Sequence, residues 1–190
     1  MRTTRLTAVS VTVLFTLAAC GGGGDSGSDS GTAASHNAQD VSFAQGMIPH
    51  HRQAVEMAEL AAGRASSSEV KDLATRVEKA QGPEITTMTG WLKSWDEKVP
   101  EAMSGMDHSA HSGMAGMMDD ADMGKLEKAS GKDFDSMFLT MMVEHHEGAV
   151  EMATTEKAKG EYKDATDMAG DIITAQNAEI SEMKKLLGEN

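Results

Sequence analysis

Met47 stands three residues before His50 and four before His51, and Met142 stands at the same spacing before His145 and His146. Thioether and imidazole form a soft donor set. Among biological metals it suits Cu(I) first, with Ag(I) as a mimic, and it disfavours Zn(II), for which thioethers are poor ligands. Met57 and Met152 follow on the same helical flank as His50 and His145, adding one more soft donor to each group. The two groups belong to a duplicated unit: Phe43 to Ala58 recurs as Phe138 to Ala153, an offset of 95 positions. The register continues without a gap, so that Ala80, Gln81, Glu84, Ile85 and Met88 match Ala175, Gln176, Glu179, Ile180 and Met183.

A second soft tract lies between the copies. Met103, Met106, His108, His111, Met114, Met117, Met118 and Met123 are spread through Gly, Ser and Asp, and six of the chain's sixteen methionines fall there. A thioether has no ionisable proton, so it keeps its metal affinity where pH varies and where a cysteine would be oxidised. The tract reads as a flexible loop that recruits metal.

These donors need helices to place them. At about 100° per residue, Met47, His51, Ala54 and Ala58 share one stripe, flanked by His50 and Met57 on one side and Val55 on the other. Met142, His146, Ala149 and Ala153 do the same in the second copy, so both imidazole pairs face the interior or its edge. On the partner segments, Leu73, Val77, Ala80, Glu84, Met88 and Trp91 follow the alternating spacing of a packed seam, as do Met168, Ile172, Ala175, Glu179, Met183 and Leu186. A carboxylate in a seam is costly without a partner. Glu84 and Glu179 are therefore expected to meet the histidines, one ring of each pair ligating and the other held by Glu. A plainer alternative is that His and Glu satisfy each other with no ligand present, and that Met fills irregular gaps.

The elements follow from caps and breakers. Asp40 or Ser42 is expected to cap a first helix reaching about Gly63, with Pro49 disturbing it. Ser66 to Ser68 open a second, to about Lys98, with an irregularity at Gly82-Pro83. A short helix is expected from Asp122 to Ala129, ended by Gly131, and Asp133 is expected to cap a long helix to about Lys159. Another follows, from about Glu161 to Leu187. No stretch alternates with period two. The expected fold is all-α, a four-helix bundle of two repeated hairpins, repeat one over 40–98 and repeat two over 133–190, joined by a Met/His-rich crossover over 99–132.

Residues 1–19 carry Arg2 and Arg5 and then a short apolar run, the pattern of a secretory signal and too short for a spanning helix. Leu17-Ala18-Ala19-Cys20 resembles the lipobox of bacterial lipoproteins, which makes the only cysteine, Cys20, a lipidation site. Two acyl chains, each contributing about 0.8 kcal/mol per buried methylene, hold a protein firmly on a bilayer. Residues 20–39, rich in Gly and Ser, read as a flexible tether and 40–190 as the domain. The expected location is the cell envelope, facing the periplasm or the exterior. Without residues 1–19 the chain keeps 15 basic and 30 acidic residues, a formal charge of −15, which excludes nucleic acid as an electrostatic partner.

Phe43 to Ala58, Phe138 to Ala153, the Met-Gly-Met tract and Gly131-Lys-Asp-Phe-Asp135 together resemble the CopM-like family, long known only as domain of unknown function three hundred and five. The resemblance spans about Asp40 to Leu187. It implies a ferritin-like bundle of the bacterial envelope whose members bind copper through Met and His and take part in copper tolerance. By that resemblance His50, His51, His145 and His146 are the motif histidines, with Met47, Met57, Met142 and Met152 beside them. The expected activity is Cu(I) binding, buffering or delivery to or from another envelope protein, without turnover. Two alternatives stand beside it: a metal-dependent redox enzyme using Glu84 and Glu179 with the histidines, and a structural or partner-binding lipoprotein with no metal.

Overall fold

The computed structural model describes residues 35–101 and 114–189. The expectations for the signal, for Cys20, and for Met103, Met106, His108 and His111 lie outside the described residues. Four long helices and one short one are present: α1 (Ala38–Arg64), α2 (Ser68–Ser94), α3 (Asp120–Lys128), α4 (Gly131–Lys159) and α5 (Lys163–Leu187). α1 packs on α2, α4 packs on α5, and α1 and α4 join the two hairpins. The all-α bundle is the one expected. No helix among the described residues is long and apolar enough to cross a membrane.

Several boundaries differ from the expected ones. α1 begins inside the segment read as tether, because Asn37 and not Asp40 or Ser42 is its N-cap: the Asn37 side chain accepts from the Gln39 and Asp40 amides. Asp40 completes a capping box by accepting from the Asn37 amide at 2.6 Å. α4 starts at Gly131 after Ser130, which makes no side-chain cap bond, so Asp133 lies within the first turn instead of capping it. α2 ends at Ser94, ahead of the expected Lys98, and α3 begins at Asp120, two residues before the expected Asp122. Pro49 and Pro83 both sit inside unbroken helices. Each deletes one backbone donor, and burial of α1 between α2 and α4 carries Pro49 through.

Asp40 has a second task. Its carboxylate also accepts from the Glu161 amide at 3.1 Å and the Tyr162 amide at 3.0 Å, in the turn between α4 and α5. Its counterpart, Asp135, accepts from the Ser66 and Ser67 amides, both at 3.0 Å, and from the Ser66 hydroxyl, in the turn between α1 and α2. The first helix of each repeat thus clips the hairpin turn of the other. Asp135→Ala would strand two amides and one hydroxyl; with hydrogen bonds to charged groups worth roughly 1.5–3 kcal/mol each and partial rescue by water, a loss of about 3 kcal/mol is expected in urea unfolding.

The clip at Asp40 carries an extra carboxyl. Glu156 is buried beside it, where the first repeat has Ala61. Burial first, then the hydrogen bond and the charge of Asp40, push Glu156 up to about 8. Asp40 moves the opposite way: burial alone would raise it, but the Asn37 amide, the Glu156 carboxyl and the Tyr162 and Glu161 amides together hold it below its ordinary value. The folded chain thus keeps a proton on Glu156 that the unfolded chain releases near its ordinary value of 4.5. This stabilising contribution is complete below about 4.5 and is lost as pH rises toward about 8. Glu156→Gln keeps a donor for Asp40 without the titration, so its Tm should exceed that of the parent at pH 8 and match it at pH 4, as thermal melts at the two pH values would show.

Candidate metal centre

The core is two apolar clusters with a polar layer between them. Along α1, Phe43 to Ile48 belong to one cluster and Ala54 to Ala61 to the other, with His50 and His51 between. α4 runs through the same clusters in the opposite order: Phe134 to Val143, then His145 and His146, then Ala149 and Ala153. All four imidazoles are fully buried. The His50 and His145 rings stand with centroids 3.8 Å apart, tilted by 41°, and His145 and His146 are 6.3 Å apart.

Glu84 and Glu179 hold the outer ring of each pair. His51 Nε2 lies 2.7 Å from Glu84 Oε2 and His146 Nε2 lies 2.7 Å from Glu179 Oε2. The seam expected through Ala80 and Ala175 is turned by one residue: both alanines are exposed, and Gln81 and Gln176 are buried in their place. Glu84 and Glu179 reach in from the flank with side chains 25% and 18% exposed. That placement lets each carboxylate keep some hydration while it takes an imidazole proton, which lowers the cost of burial. Gln81 and Gln176 were not singled out as site residues, although their recurrence across the repeats was the signal that could have found them.

The hydrogen bonds fix which ring nitrogen is available. A carboxylate accepts, so Nε2 carries the proton in His51 and His146, and a carbonyl accepts, so it does in His50, whose Nε2 donates to Ala115 O at 3.2 Å. Nδ1 of all three has no hydrogen-bond partner among the described residues, and neither nitrogen of His145 makes a well-formed bond there, the His50 backbone being its nearest polar contact. This is the arrangement in which ligating histidines are found, one nitrogen tied to an oxygen and the other open to a metal. Burial first, then the nearness of His51 and His146, hold His50 down to about 3; burial and its three neighbouring imidazoles hold His145 well below the ordinary value. Both therefore offer lone pairs at any physiological pH. Among the described residues no three His, Cys, Asp or Glu side chains already surround one point.

The crossover lies directly on this layer. Gly116 takes a positive φ of 77°, and a Cβ there would come within 2.6 Å of Glu144 O and 2.9 Å of His145 O. Gly148 meets it from α4, where a Cβ would fall 2.0 Å from Ala115 O. The position matching Gly148 in the first repeat is Gln53, whose amide brackets Met118, donating to its carbonyl and accepting from its amide, both at 2.8 Å. Arg52 donates to the carbonyls of Pro100 and Glu101 at the other described end of the crossover. Gln53 and Ala115 carry no chemistry that sequence spacing reveals, since a backbone carbonyl leaves no trace in residue type.

The methionines divide. Met47, Met57 and Met142 are fully buried in the apolar clusters, and Met118 is buried with them. Met114, Met117 and Met152 are half-buried.

The domain of unknown function DUF305 matches residues 40–187. The chain belongs to the DUF305 family. It is similar to a DUF305 protein of Streptomyces coelicolor, with 34% identity and a TM-score of 0.70 over 79% of this chain and 92% of that one. CopM in its Cu(II)-bound form is 36% identical with a TM-score of 0.68, covering 78% of this chain and 95% of that one. CopM in its Cu(I)-bound form is 34% identical with a TM-score of 0.64, covering 77% and 94%. A comparison with curated proteins finds no match. Both of these CopM structures hold copper, and the repeated histidine pairs of this DUF305 chain stand within the matched segment.

An imidazole with both nitrogens buried and unbonded is a burden on stability. His145→Leu removes that burden at similar volume, so the metal-free Tm should hold or rise by a few degrees. His146→Leu strands Glu179 and should lower it. A thermal melt of the two variants checks the contrast, and a fall at His145 as large as that at His146 would count against an unbonded ring.

Proposed function

We propose that this chain is a copper-binding protein of the cell envelope, held to a membrane through acylated Cys20, that buffers Cu(I) or passes it to another envelope protein without turnover. The observation that carries the reading is the polar layer: four buried imidazoles, three with Nε2 tied to an oxygen and Nδ1 unbonded, from two copies of one motif. Similarity to copper-bound CopM supports it. Cu(I) is favoured over harder ions because the nearby carboxylates, Glu84 and Glu179, are occupied as hydrogen-bond acceptors for the histidines, which leaves nitrogen and sulfur as the open donors. Met47 and Met142, three residues before each pair, and Met57 are the soft donors nearest in sequence. The tract from Met103 through Met106, His108, His111 and Met114 to Met117 and Met118 would gather the ion.

Titration of the domain with Cu(I) against a chromogenic competitor tests this. A dissociation constant tighter than about 1 μM, weakened at least about tenfold when His50, His51, His145 and His146 are changed to Ala, is expected. Binding weaker than that, or unchanged by the substitutions, overturns the proposal and leaves the histidines as core hydrogen-bond partners. Because His50 is held down to about 3, lowering pH from 7 to 5 should cost its share of binding almost nothing, whereas an ordinary imidazole would lose about twenty-fivefold. Retention of Ag(I), the redox-inert mimic, measured after dialysis at the two pH values checks this.

A further inference from the structure

A second place brings soft donors together, away from the histidine layer. Gly46 on α1 matches Met141 of the second repeat, and where Met141 is buried Gly46 leaves a gap. Two sulfurs from other elements converge on that gap. A Cβ on residue 46 would stand 3.7 Å from Met152 Sδ and 3.9 Å from Met114 Sδ, so the sulfurs flank one point from α4 and from the crossover. Both line a cavity of about 290 Å³, whose other walls include Gln39, Phe43, Ala115 and Glu151.

The two repeats differ here in a way that packing alone does not require. Met57, the counterpart of Met152, is fully buried as core filler. Met152 is half-buried, beside an accessible cavity that it shares with Met114. An unbranched thioether has three rotatable bonds, so modest rotation brings two such sulfurs onto a common ion. Glu151 at the cavity adds negative charge that attracts a cation without supplying a soft ligand. The cavity also adjoins the histidine layer, because Ala115, the residue after Met114, accepts the His50 Nε2 proton.

We propose that Met114 and Met152 form a separate two-thioether seat for a soft monovalent cation, Cu(I) or Ag(I), on the crossover side of the buried histidines. The seat rests on the copper reading above and adds to it a site with its own ligands. An ion held here is one residue from the backbone carbonyl that fixes the His50 tautomer, which places the seat on a route between the surface and the histidine layer.

The full chain labelled with 13C at the methionine methyls, titrated with Ag(I) and followed by NMR, tests this. Met114→Leu and Met152→Leu, near in volume to the parent residues, assign the two methyls. The expected result is that both methyls shift with one titration curve, and that Met152→Leu weakens the Met114 response at least about tenfold. If Met152 stays still while histidine or other methionine signals move, the seat is overturned and the copper reading stands. If no histidine or methionine signal responds to Ag(I), both fall together. Circular dichroism of the Leu variants confirms that any lost response is not lost folding.

Discussion

Everything in this bundle is arranged around burying four imidazoles in one layer. A ring without access to water must be uncharged or paired, and His50 and His145 lie against each other with centroids 3.8 Å apart, so burial and their mutual nearness keep both neutral. The surrounding features answer to that demand. Carboxylates enter from the flanks to take the His51 and His146 protons, a backbone carbonyl of the crossover takes that of His50, and apolar clusters close both sides. Among the described residues His145 makes no well-formed hydrogen bond, at a cost that an apolar residue would avoid. A stable bundle of this size does not need that ring, so its retention in the layer is an argument for a ligand.

Duplication built the layer, and divergence built the access to it. The positions that stay alike in both repeats are the histidine pairs, Gln81 and Gln176, Glu84 and Glu179, and the reciprocal clips Asp40 and Asp135. These preserve the pseudo-symmetric frame. Two positions that differ lie where one crossover must sit on two equivalent helices. Gln53 reaches out to grasp the Met118 backbone while Gly148 yields so that the Ala115 backbone can touch α4. Gly46 opens space that Met141 fills in the other half. A single strand of chain cannot obey a two-fold axis, so asymmetry at these two repeat positions is a geometric necessity.

Much of this was legible in residue order. The offset repeat, the helical stripe through Met47, His51, Ala54 and Ala58, and the pairing of each carboxylate with an imidazole follow from periodicity and the cost of burying charge. The seam through the partner helices holds at Leu73, Val77, Met88, Ile172 and Met183 and slips by one residue at Ala80 and Ala175, where Gln81 and Gln176 are buried instead. Small apolar residues mimic a core position in a pattern, and glutamine mimics a surface one, until a polar layer inside the core is known to need it. Ser67 caps α2 as expected, but the cap of α1 was misplaced for a related reason. Asp40 looked like a terminus because Asp favours that place, while its carboxylate serves both Asn37 and a turn 121 residues away, a contact that no local rule encodes. The crossover's role in tying off His50 is carried by a carbonyl, which every residue possesses.

The same hydrogen bonds that fix the tautomers bear on the proposed preference for a soft ion. Were Glu84 and Glu179 free to turn inward as ligands, the site would offer oxygen and nitrogen and would suit iron or manganese, as carboxylate-bridged bundles do. Each instead spends an oxygen on an imidazole proton at 2.7 Å while the remainder of the side chain keeps contact with solvent. Turning either one inward would release a buried N–H and desolvate a charge in the same movement, two penalties with no compensating bond until a metal arrives. Thioethers and unbonded Nδ1 atoms face no such barrier. They have no proton to lose and no partner to leave, so a polarisable monovalent ion meets donors that are already free.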